Sequence, residues 1–146
     1  MYKPYQLIFV LLMAITTLSF TQNTEVADGW YHIKNYNSET PLTDDEILQQ
    51  LTADDLIIPV SAIRKMKIVR SPVRPYHQLH FWYDDHYKTL WTNYTEKLTG
   101  SFTGFILNGK VISVVLITTI ISNGQNSIGG EKKDLKEIMD TLKLAR

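Results

Sequence analysis

The sequence predicts a single α+β domain: an antiparallel sheet with helices packed on one face, ending in a β-α-β-β-α unit. Three observations carry this prediction. Asn108 and Gly109 separate two strand-like runs, residues 102–107 and 110–117. An Asn-Gly pair accepts the positive φ that a two-residue hairpin turn needs at both positions. Tyr87, Leu90, Trp91, Tyr94 and Leu98 recur at helical spacing and form one apolar stripe. Residues 76–83 are dense in aromatics, as strands are. There Leu79, Phe81 and Tyr83 share one face, and Gln78, His80 and Trp82 share the other.

The remaining elements follow in chain order. Residues 29–33 read as a first strand. Thr43 and Glu46 have the Thr-x-x-Glu spacing of a capping box, in which each side chain satisfies a free backbone N–H at a helix start. Ile47, Leu48 and Leu51 then give a short amphipathic helix. Residues 54–61 read as a connector broken by Pro59, and residues 65–69 as a second strand. Pro72 and Pro75 bracket a loop before the aromatic strand. Asp84 or Asp85 caps the next helix, and Gly100 suits a left-handed cap at its far end. Residues 122–130 hold three glycines among polar residues and read as a loop. Leu135, Ile138, Met139 and Leu142 place a final helix over 132–143.

An apolar run of about 14 residues follows Lys3. That is the length of a secretory signal core and short of the ~20 residues that a spanning helix needs. Residues 1–22 are therefore expected to be a cleaved signal peptide, leaving a domain over 28–146. An uncleaved anchor is the alternative, because no Ala-x-Ala cleavage site is present. The expected product is exported, to the periplasm or the cell exterior, with no membrane span in the mature chain. Cysteine is absent, which excludes disulfides, thiol catalysis and cysteine metal sites. Its hydrophobic core has to hold such a domain together, and a mature part of about 120 residues is long enough to form one. Fifteen basic side chains balance fifteen acidic ones. No cationic excess exists to drive nucleic-acid binding by counterion release.

The order and spacing of these elements resemble the periplasmic head of the SecD/SecDF protein-export membrane proteins. The match runs over residues 66–143. It comprises the strand ending in Asp84 and Asp85, the helix after it, and the turn Asn108-Gly109-Lys110 with its valine-rich strand. The segment in which Ile121, Gly124, Ile128 and Gly130 recur and the last helix complete it. Residues 29–58 match more loosely. Asn108 stands where the family usually has Asp, and the proline usual near Val114 and Val115 is missing. The family's six-helix membrane part has no counterpart in these residues. The resemblance therefore implies a detached, exported binding or scaffold module, with a polypeptide or envelope protein as partner and no proton-driven motor.

The chemistry-bearing residues point the same way. His77 and His80 lie on opposite faces of a strand and cannot chelate one ion together; no metal and no cofactor is expected. No Gly-x-Ser-x-Gly elbow exposes a serine nucleophile, so catalysis is not expected. The alternative is a small envelope hydrolase or ligand-binding enzyme using His80, His86 and Asp84. The pairs Asp44-Asp45 and Asp54-Asp55 read as solvated surface. The glycine loop lacks the Gly-Lys-Ser/Thr ending of a phosphate loop. The expected partner-binding residues are Trp82, His80 and Gln78 on the strand face that alternates away from the core, with Asn123, Gly124, Gln125 and Asn126 of the glycine segment. Contact is expected through the open sheet face, a strand edge or that segment.

Overall fold

A computed structural model describes residues 26–145. The expected signal peptide, residues 1–22, lies outside them. In chain order the elements are β1 (Gly29–Ile33), α1 (Asp44–Gln50), β2 (Leu56–Pro59), β3 (Ile63–Arg70), β4 (His77–Tyr83), α2 (Asp85–Lys97), β5 (Phe102–Leu107), β6 (Lys110–Leu116), β7 (Gln125–Gly130) and α3 (Lys132–Leu144). The architecture is α+β, and every strand pair is antiparallel. The strands divide between two sheets, ordered β2-β1-β5-β6 and β3-β4-β7.

Local signals explain most boundaries. Thr43 and Glu46 complete the capping box of α1. The Asp84 carboxylate accepts from the Tyr87 N–H at 3.1 Å and starts α2. Asn108 and Gly109 have φ of 50° and 68°, the pair of left-handed residues that closes a tight hairpin between β5 and β6.

Two strands escape the sequence pattern. The glycine segment predicted as a loop supplies β7, whose residues 125–130 pair with β4 from Trp82↔Gln125 to His77↔Gly130. It carries little β-propensity. Pairing satisfies the backbone edge of β4, and Ile128 enters the core at 2% exposure. The predicted connector likewise contains β2, an end strand that pairs with β1 through Ile58 and Leu56. Pro59 ends that strand, where a missing N–H does least harm.

One core lies between the sheets. Trp30, Ile58, Phe105 and Leu107 enter it from the first sheet, and Leu79, Phe81, Tyr83 and Ile128 from the second. Trp91 of α2 and Leu135 and Leu142 of α3 close it. The Phe81 ring lies 6.3 Å from Trp30 and 5.4 Å from Phe105, within the range of favourable aromatic packing. A second cluster forms on the far face of the first sheet, where α1 docks Ile47 against Tyr31, Ile33 and Ile106.

The predicted solvated pair Asp54-Asp55 needs correction. Asp55 is buried at 4% exposure. It accepts from the Thr52 N–H and hydroxyl, both at 2.9 Å, and pairs with the Lys34 ammonium at 2.5 Å. A buried carboxylate requires such partners, and the sequence did not show that Lys34 reaches it across the fold.

Candidate partner-binding face

The second sheet has one covered face and one open face. Leu79, Phe81 and Tyr83 point into the core, and α2 and α3 close the sheet from that side. Gln78, His80 and Trp82 point the other way and are half-buried. The alternation read from β4 alone is therefore the one observed. The first strand does not cover Trp82, because β1 belongs to the other sheet.

Register assembles the open face from three strands. Lys65 lies opposite Trp82, Lys67 opposite His80 and Val69 opposite Gln78 on β3. On β7, Gln125 lies opposite Trp82 and Ser127 opposite His80. Lys65 and Lys67 were missed as site residues. Their signal was present, since they alternate with the inward-facing Met66 and Ile68, but only the β3–β4 register shows which neighbours they meet.

The side chains on this face are tied together. The Lys65 ammonium sits 5.2 Å from the centre of the Trp82 ring, a cation–π distance. The His80 ring lies 5.7 Å from that of Trp82. Nε2 of His80 is 3.1 Å from the Gln78 amide oxygen, and Nδ1 meets the Gln125 amide nitrogen. The pattern fits a neutral imidazole with its proton on Nε2. Desolvation lowers the His80 pKa below its ordinary value, which favours the same neutral state. The result is a platform of mutually contacting side chains with an indole face, two ammonium groups and two amides.

The other predicted residues divide. Asn123 is exposed, and its side chain accepts from the Gln125 N–H at 3.0 Å. Gly124 is buried against Lys88 and adopts φ of 64°. Asn126 points inward at 8% exposure and accepts from the Tyr83 hydroxyl at 2.7 Å. It does not belong to the open face. Its place in β7 puts it on the side of Ile128, which a loop reading concealed.

The residues of the hydrolase alternative have separate partners. Asp84 caps α2 and meets Arg64 at 3.1 Å. His86 stacks edge-on against Tyr87 at 5.0 Å. His80 is held by the two glutamines. Among the described residues no group of three or more histidines and carboxylates is placed to hold a metal ion. Among them, too, no helix is long and apolar enough to cross a membrane.

Comparison with solved structures finds the same fold. SecDF in its super-membrane-facing form superposes with a TM-score of 0.59 at 18% identity, over 78% of this chain and 18% of that one. SecDF described as a membrane component that enhances protein export superposes with a TM-score of 0.56 at 17% identity, over 78% of this chain and 60% of that one. This chain thus spans less than two thirds of either. No family model and no curated protein matches it. At this identity the likeness establishes the fold, a SecD-like α+β head, as the order of motifs predicted.

Proposed function

We propose that this chain is an exported, non-enzymatic binding or scaffold module that contacts polypeptide or envelope-protein partners through the open face of β3, β4 and β7. The observation that carries the reading is Trp82, a half-exposed indole on an uncovered sheet face, held in place by Lys65 and His80. Tryptophan is the side chain most often responsible for binding energy at protein interfaces. It offers a large rigid surface with little conformational entropy to lose. Gln78 and Gln125 supply amide donors and acceptors for a partner backbone. Lys65 and Lys67 favour a neutral or acidic segment. The SecDF fold, in a protein described as enhancing protein export, supports a role near polypeptide handling. That support is by analogy of fold.

Binding is measured by the anisotropy of a labelled, permanently unfolded polypeptide titrated with the purified protein. Trp82→Ala is expected to weaken it by at least about tenfold without lowering the unfolding midpoint. Absence of binding to wild type, or equal binding by both proteins, contradicts the reading.

A further inference from the structure

The positive charge of this chain is not spread evenly. Arg64, Lys65, Lys67, Arg70 and Arg74 make up a third of its fifteen basic side chains, and residues 56–83 around them contain no Asp or Glu. None of the strands β3, β4 and β7 carries a carboxylate. All five cations are exposed. Among the described residues, Arg64 alone of the five has an ion-pair partner, Asp84 at 3.1 Å. Lys65 and Arg74 stand over aromatic rings, 5.2 Å from the centre of Trp82 and 5.8 Å from that of Tyr76. Like charges gathered without counter-charges favour an anionic partner.

The fold fixes the shape of that partner. β3 ends its sheet, so one edge of its backbone faces no strand. Such an edge is ready to pair with an added one. Alternation gives β3 two rows of side chains. Lys65 and Lys67 stand on the open face, opposite Trp82 and His80. Met66 and Ile68 point the other way, where they are only half-buried against the core. Arg70 carries the charge to the loop end of the strand.

A strand laid along this edge therefore meets cations on one face and half-covered apolar side chains on the other. Its complement alternates in the same way, with carboxylates on the open face and apolar side chains on the inner one. Opposite charges directly across paired strands stabilise the pair, and like charges destabilise it. The lysines that turn away a second cationic edge thus select an acidic one. A phospholipid surface or a single-stranded nucleic acid matches the charge. Neither supplies backbone N–H and C=O groups to a strand edge together with apolar side chains at a two-residue period.

We propose that the free edge of β3 takes an extended polypeptide segment in which acidic and apolar residues alternate. The inference rests on reading the chain as a polypeptide-binding module, and it names the class of segment and the edge that holds it.

The probe is a capped, fluorescently labelled peptide of alternating glutamate and valine, titrated into the purified protein and followed by anisotropy. A peptide of alternating lysine and valine is its control. The glutamate peptide is expected to bind at least about tenfold more tightly than the control, and to weaken as salt screens the charges. Lys67→Glu combined with Arg70→Glu is expected to weaken it at least about tenfold. Both positions are exposed, and if the double variant does not fold, the wild-type measurements decide. Hydrogen exchange of the outward backbone N–H groups of residues 65–70 is expected to slow when the glutamate peptide binds, because an added strand bonds them. Adsorption through charge alone leaves that exchange unchanged. Four outcomes overturn the inference: equal binding of the two peptides, undiminished binding by a folded double variant, binding without slower exchange in β3, or tighter binding of anionic phospholipid vesicles or of oligodeoxythymidylate than of the glutamate peptide. If the glutamate peptide fails to bind while an unfolded polypeptide still binds in a Trp82-dependent way, the open-face reading stands and this inference falls. If neither binds, both fail.

Discussion

Asp55 joins the loop after α1 to the end of β1. Burial alone would raise its carboxyl pKa, but hydrogen bonds from Lys34 and Thr52 outweigh burial and hold it below the usual carboxylate value. A depressed carboxylate stabilises the fold above its unfolded pKa, and that contribution is lost as pH falls through the folded one. Asp55→Ala leaves the Thr52 N–H unpaired and is expected to cost about 2 kcal/mol in urea unfolding. Lys34→Ala is expected to cost under about 1 kcal/mol, since the ammonium is largely exposed. His80 acts in the same direction, at a higher pH. Its pKa is lowered in the fold, chiefly by desolvation, and that of His32 is lowered first by the same cause. The unfolded chain takes up protons first, so both histidines contribute full stability above about 6.5 and lose it as pH drops below that value. Thermal melts between pH 7 and 5 therefore show falling stability, with a shallower fall in His80→Gln. At this scale the sequence was legible where a residue acts on its near neighbours. Thr43, Asp84 and the Asn108-Gly109 turn do so. Lys34 with Asp55, and Tyr83 with Asn126, meet across long sequence separations, and no local spacing encodes them.

The β5–β6 hairpin is the element that its own residues specify most fully. Gly109 has φ of 68°, and no atom lies within 4 Å of the place a Cβ would take there. Gly109→Ala is thus a test of backbone strain alone, expected to cost about 1–2 kcal/mol in denaturant unfolding. The short helix α1 depends instead on docking. Ile47 is 1% exposed, in the smaller cluster beneath the first sheet. Ile47→Ala is expected to lower stability by about 2–5 kcal/mol, measured in the same way, with no loss of the Trp82 platform. The strands β2 and β7 show the limit of reading elements one at a time. Each takes its form from the open backbone of a neighbour, β1 or β4, rather than from its own composition. Reading β7 as a loop hid the alternation that turns Asn126 inward and Gln125 outward. The candidate face was therefore legible on β4 and hidden on the strands either side of it.

The whole molecule places two sheets and two helices around one core and leaves one sheet face uncovered. That arrangement follows from numbers of elements: α2 and α3 both pack on the inner side of β3-β4-β7, and α1 is committed to the first sheet. Nothing among the described elements remains to cover Trp82. Alternation turned Trp82 away from the core without deciding whether the first strand and connector cover it, and the order of motifs pointed to a SecD-like fold. The division into two sheets, and with it the free edge of β3, depends on which strand ends each sheet, which periodicity does not contain. The central claim is that the uncovered face contacts polypeptide. Its most direct measurement places a photo-crosslinking side chain at Lys67, on the open face, or at Glu137, on the exposed side of α3, and irradiates each purified protein with a defined unfolded polypeptide. The account predicts an adduct from position 67 and none from position 137. Equal adducts from both positions, or none from position 67, would contradict it.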